Sequence, residues 1–180
     1  MHALRIALVV IWIAFWIYWL ASATRAKQMR RGGRAVTSRL AVWMLLIVVL
    51  RVARPRSLDI HNLAVGAIGM AIFLGGLALC VWARRNLGRN WGMPMSTNDD
   101  PELVTSGPYR RIRHPIYTGL ILAFIGTALV TDLLVLIVAF FMGALFVYSA
   151  VVEERNMTAA LPGEYRAYRA RTKMLIPFVL

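Results

Sequence analysis

Apolar positions in this chain run in long unbroken stretches rather than alternating, at about Ala3 to Ala23, Leu40 to Val52, Leu63 to Ala83, Pro115 to Val130 and Leu133 to Val152. A helix needs about 20 apolar residues to cross the hydrocarbon of a bilayer, and most of these stretches approach or reach that length. The pattern predicts an all-α, polytopic membrane protein with about five transmembrane helices. The second span is short, and Arg51 and Arg54 at its end must snorkel to the interface if the helix extends. The first is too long for a signal-peptide core and is read as a retained anchor. Small residues recur at four-residue spacing in the third span (Ala67, Ala71, Gly75) and in the fourth (Gly119, Ala123, Thr127). The fifth carries Ala139 and Gly143, so the fourth and fifth spans are expected to pack tightly through small faces.

Charge sharpens the topology. Of 21 basic residues, six lie in the polar loop Thr24 to Arg39, six in the loop after the third span and five in the C-terminal tail, leaving four elsewhere. By the positive-inside rule those three segments are cytosolic and the N-terminus lies outside. A net charge of +13 is thus explained by orientation. The basic residues sit beside apolar spans and form no basic face with interleaved aromatics, so no nucleic-acid partner is expected. A hydrophobic content of 59% excludes an ordinary soluble globule. The single cysteine, Cys80, permits no intrachain disulfide, and His2, His61 and His114 show no ligand spacing, so no metal is expected.

The loop before the fourth span carries the most specific chemistry. Gly107-Pro108 predicts a turn, and Pro115 suits the first turn of a helix, where its missing N–H is not needed. His114 then sits at the positive end of that helix, a place to hold an anion. Downstream, Glu153-Glu154 follow some twenty apolar residues. From residue types alone they are either an interfacial helix end with Arg155 as counterion or a functional pair. The tail from Gly163 to Lys173 predicts a short amphipathic interfacial helix, with Tyr165, Tyr168 and Thr172 on one side and Arg166, Arg169 and Lys173 on the other.

Arg113-His114-Pro115-Ile116-Tyr117-Thr118-Gly119 after Gly107-Pro108-Tyr109, with the downstream block Glu153-Glu154, Gly163-Glu164-Tyr165-Arg166-Ala167-Tyr168 and Ile176-Pro177, resembles the integral-membrane methyltransferases that include isoprenylcysteine carboxyl methyltransferases and phospholipid N-methyltransferases. The resemblance covers roughly residues 84 to 180. The length fits one membrane domain over 1–180, divided into an N-terminal two-span part (1–62), where the resemblance does not clearly extend, and a core (63–180) that the resemblance makes methyltransferase-like. The resemblance also implies S-adenosylmethionine as cofactor, with Val104, Tyr109, His114, Pro115, Tyr117, Gly119, Glu153 and Glu154 as pocket positions and no assigned catalytic residue. Other readings stand beside these roles: His114 as a plain helix cap, Tyr117 and Tyr165 as interfacial belt residues, and Gly119 as part of a packing face. Leu161-Pro162 replaces the family's Phe-Gly. Tyr148, Ser149 and Ala150 stand where eukaryotic carboxyl methyltransferases place an arginine.

The implied activity is methyl transfer to a lipophilic small molecule or lipid at the cytosolic face, in contact with membrane lipids. The acceptor is expected to enter sideways between the third and fourth spans, past Gly75, Gly76 and Gly119. A nicotinamide-dependent membrane reductase related to sterol reductases and a non-catalytic scaffold are the rival readings. Nothing in the sequence fixes the oligomeric state.

Overall fold

The computed structural model describes residues 1–23, 60–88 and 102–175. The predicted second span, the first basic loop and part of the motif loop lie outside these residues. The described chain is helical throughout, with one isolated bridge of extended backbone. Helix α1 is His2–Ala23, α2 is Leu63–Leu87, α3 is Pro115–Val130, α4 is Leu134–Ala160 and α5 is Pro162–Arg171, with a 3₁₀ turn at Gly107–Arg110. Helices α1, α2 and α4 are each long and apolar enough to cross a membrane. The protein is an integral membrane protein of the polytopic all-α class.

Lipid is the solvent for much of this surface. Along α1, Val10, Ile17 and Leu20 are 58%, 64% and 67% exposed, as suits side chains that meet acyl chains. The opposite face packs Leu8 and Phe15 against Phe73 and Leu77 of α2 and Ala123 of α3. Trp12 reaches across to donate its indole N–H to the Thr127 hydroxyl at 3.1 Å.

The centre of the fold is the contact between α2 and α3. A β-carbon on Gly76 would lie 2.5 Å from the Gly119 carbonyl oxygen, and one on Gly126 would lie 2.5 Å from the Gly69 carbonyl oxygen. Such contact is possible only between glycines, and it lets dispersion act over whole backbones. Two expectations change here. The small face of α3 meets α2 rather than α4, whose Gly143 finds only Ile121, 3.9 Å from the position of an added β-carbon. On α2 the face used is that of Gly69, Phe73, Gly76 and Cys80, whereas Ala67 and Ala71 are exposed and Gly75 has open space beside it. The expected gap between the third and fourth spans is therefore closed at Gly76 and Gly119.

Both long helices outrun their apolar stretches, because charged residues beyond the spans find partners in the protein. Helix α2 passes Arg84, which is buried and donates to the Gly88 carbonyl at 2.7 Å and to the Ser22 carbonyl at the end of α1 at 2.6 Å. These bonds satisfy carbonyls that helix ends leave open. Helix α4 continues through Glu153 and Glu154 to Ala160. At the other side of the membrane, Arg5 donates to the carbonyls of Ile60 (3.0 Å) and Thr131 (3.2 Å), closing the end of α3.

Candidate functional site

The motif begins with the 3₁₀ turn. Gly107 has φ +58°, and a β-carbon there would lie 2.5 Å from the Asn86 side chain, so both backbone and space require glycine. Asn86 in turn donates to the Trp82 carbonyl at 2.8 Å and accepts from Ser106 at 3.3 Å, which docks the turn on the end of α2.

The segment that follows pairs with the tail. Lys173 N–H donates to the Arg111 carbonyl (3.0 Å), Arg113 N–H to the Lys173 carbonyl (2.8 Å) and His114 N–H to the Met174 carbonyl (3.1 Å). This is a short parallel pairing, with Ile112 opposite Lys173. Thr118 adds a hydroxyl bond to the Leu175 carbonyl at 2.7 Å. Helix α5 is held under the same turn by its tyrosine side. Tyr165 and Tyr168 are buried, and the Tyr168 hydroxyl donates to the Tyr109 carbonyl at 2.7 Å. The amphipathic helix foreseen in the tail thus turns its tyrosines toward the protein and its arginines outward.

His114 precedes Pro115 and caps α3 without a side-chain hydrogen bond to the helix. Its imidazole lies between two carboxylates. Glu153 Oε2 is 3.5 Å from Nδ1, and Glu154 Oε1 is 3.5 Å from Nε2. Nε2 is buried and makes no hydrogen bond. Burial alone would push the His114 pKa down, but the two carboxylates outweigh it and hold the pKa above its ordinary value. The ring is parallel to Tyr117 at a centroid distance of 5.5 Å, and Tyr117 stacks on Phe146 of α4 at 5.0 Å. The Tyr117 hydroxyl donates to Glu153 Oε1.

The two glutamates differ in setting. Glu154 is buried and saturated. Arg113 Nε donates to its Oε1 at 2.6 Å, Arg169 Nε lies 3.4 Å from Oε2, and the same Arg113 donates to the Thr172 carbonyl at 2.5 Å. Glu153 keeps a quarter of its side chain open. The anion expected at the mouth of α3 is thus supplied by the protein's own carboxylates.

Of the eight predicted positions, His114, Tyr117, Glu153 and Glu154 form one connected cluster, and Pro115 opens the helix that carries it. Tyr109 is buried in the adjoining turn; burial first, then Tyr168 and Glu153, raise its phenol well above the usual range. Gly119 points away from the cluster, with a virtual β-carbon 2.6 Å from Cys80 Sγ, so its observed neighbours are those of a packing residue. Val104 is half-buried in the lead-in to the turn, with no hydrogen bond to the cluster among the described residues. Arg113 and Tyr168 stood in the sequence motifs without being assigned to the pocket, and Phe146 was passed over. Arg113 carried a signal, since it directly precedes His114, whereas Phe146 had none beyond lying seven residues before Glu153.

A cleft of about 830 Å³ opens beside the cluster between α4, α5 and the paired tail, and Glu154 is the one predicted position that lines it.

Residues 65–163 match the family described as phospholipid methyltransferase. The chain is similar to the cobalt-zinc-cadmium resistance protein CzcN of Cupriavidus metallidurans, 33% identical over 94 residues, covering 51% of this chain and 43% of that protein. Over 78 residues it is 38% identical to methanethiol S-methyltransferase 1 of Bradyrhizobium diazoefficiens (43% and 27% covered), and over 70 residues 39% identical to methanethiol S-methyltransferase of Mycobacterium tuberculosis (39% and 28%). The chain thus spans less than half the length of these relatives. In structure it resembles the eukaryotic intramembrane Ras methyltransferase, isoprenylcysteine carboxyl methyltransferase, with a TM-score of 0.57 at 21% identity over 83% of this chain and 54% of that one, a likeness of fold. With over half of its residues inside the family match, and with the motif turn, the His114 cap and the whole of α4 inside that half, this chain belongs to the phospholipid methyltransferase family.

Proposed function

We propose that this protein transfers a methyl group from S-adenosylmethionine to a lipophilic acceptor at the cytosolic face of the membrane. The observation that carries the reading is the bracketing of His114 by Glu153 and Glu154, which puts two carboxylates, an imidazole and a stacked tyrosine at the boundary of the apolar layer. When bound, the cofactor supplies an electrophilic methyl on a sulfonium. These residues fit such a group. Glu153 is partly open and can accept from an ammonium, Nε2 of His114 is a buried polar atom left without a hydrogen bond, and aromatic faces attract cations. The chain's remaining work is positional. Arg113 fixes Glu154, Tyr117 fixes the rotamer of Glu153, and the tail covers the mouth of α3 and limits water. The positive-inside pattern supports an N-terminus outside and a cytosolic site and C-terminus.

A small thiol is the second reading of the acceptor. The closed seam at Gly76 and Gly119 removes the lateral entrance expected for a long-chain molecule, and two relatives are by name methanethiol S-methyltransferases. The reading of the cofactor is tested by calorimetric titration of the detergent-solubilised protein with S-adenosylhomocysteine and, separately, NADPH. Binding of the first alone is expected. Binding of NADPH alone, or of neither by protein whose helicity is intact, overturns it.

A further inference from the structure

We propose that the cleft between α4, α5 and the tail is a binding site for the phosphate headgroup of an anionic glycerophospholipid from the adjacent leaflet. The cleft, about 830 Å³, is lined by four basic side chains, Arg113, Arg155, Arg169 and Lys173, and by a single carboxylate, Glu154. That carboxylate is already held by Arg113 at 2.6 Å and faces Arg169 at 3.4 Å. The side chains of Arg155 and Lys173 make no ion pair among the described residues, and both residues are exposed. A concave surface with such an excess of positive charge is complementary to an anion, and guanidinium groups offer a fork that matches phosphate oxygens.

The rest of the wall says which anion. Val151 and Met174 make part of the cleft apolar. Val151 also continues a stripe on α4 in which Phe141 and Tyr148, 46% and 57% exposed, lie ten and three residues earlier. These positions lie within a stripe about 80° wide on one helix face, and Arg155, four residues on, falls inside it. An amphiphile with its acyl chain along Phe141 and Tyr148 therefore has its phosphate at Arg155. A free phosphate ion would leave the apolar part of this surface unused. The cleft shares Arg113 and Glu154 with the cluster around His114, whereas Arg155 and Lys173, the residues that would meet the phosphate, have no part in the proposed cofactor site.

The test uses full-length protein in phosphatidylcholine bilayers with trace spin-labelled phosphatidylglycerol or spin-labelled phosphatidylcholine, and reads the motionally restricted fraction by electron paramagnetic resonance. Wild type is expected to favour phosphatidylglycerol. The double substitution Arg155→Gln, Lys173→Gln should lower that preference roughly tenfold, given the attraction of each basic residue to anionic lipid. Arg110→Gln with Arg111→Gln removes the same charge from exposed positions outside the cleft and should leave most of the preference. Arg155→Lys, which keeps the charge in a folded protein, should retain part of it. No preference in wild type, an equal loss in the two double variants, or displacement of the lipid by inorganic phosphate would each overturn the proposal.

Discussion

The hydroxyl of Tyr168 on α5 donates to the backbone carbonyl of Tyr109 in the motif turn, at 2.7 Å, with both side chains buried. Burial pushes the Tyr168 phenol up to about 12, so it stays a donor at any physiological pH. Tyr168→Phe leaves a buried carbonyl unsatisfied and should lower stability by about 1–3 kcal/mol. Thermal unfolding in detergent reads this. An unchanged midpoint would mean that the turn is held by the tail pairing alone.

The glycines of the α2 and α3 contact should be unequal to those outside it. Gly76→Ala and Gly119→Ala each force a methyl into opposing backbone and are expected to cost at least about 1–3 kcal/mol. Gly75→Ala, with open space at the same depth, should be neutral or slightly stabilising, since alanine is the better helix former. Parallel melting curves of the three variants check it.

The two glutamates should separate stability from binding. Glu154→Gln breaks a buried pair with Arg113 and should destabilise the fold by about 3–5 kcal/mol. Glu153→Gln removes a charge from a more open side chain. It should melt near the wild-type temperature yet bind S-adenosylhomocysteine about tenfold more weakly, the loss of one charge-assisted hydrogen bond. Identical profiles for the two variants would contradict this division of labour.

His114 makes the fold sensitive to alkali. Its folded pKa is raised above the ordinary 6.5, so the folded state holds the proton more tightly than the unfolded chain. The resulting stabilisation is full below about pH 6.5 and disappears as pH climbs through the higher folded value. Unfolding midpoints measured across that range should fall with rising pH, and His114→Gln should flatten the step.

Orientation can be read by labelling. Ser106 is exposed beside the motif turn, Leu133 is 42% exposed between α3 and α4, and the native Cys80 is buried. Single cysteines at Ser106 and Leu133 should react with impermeant reagents from the cytosolic and the outer side respectively. The reverse pattern would invert the proposed topology.

Much of the frame was legible. Pro115 and the Thr131-Asp132 pair punctuate α3 so sharply that its predicted and observed limits agree at Pro115 and Val130. The ends of α2 and α4 were not legible, because a span is read from apolar side chains, whereas helices continue wherever charged ones find partners, as Arg84 does with Ser22 and Gly88. Small residues announced close packing but not the partner. The face of Gly119, Ala123 and Thr127 was assigned to α4, and the opposing glycines of α2 decide against it. In the site, the order of Arg113, His114, Tyr117 and Glu153-Glu154 marked the cluster. The clamp of the tail on Arg113 and His114 left no trace, because backbone hydrogen bonds carry no side-chain signature.

That clamp also sets a schedule. Arg113 must reach a carbonyl 59 residues further along the chain, and Tyr109 must wait equally long for Tyr168. At about 5–20 residues per second, a ribosome takes roughly 3–12 s to supply them. Throughout that interval α3 can already have inserted beside α2, while the charged mouth of its helix stands uncovered. The membrane helices of this protein are thus committed to the bilayer before its site exists, and the site closes only as the tail leaves the ribosome and folds back along the interface.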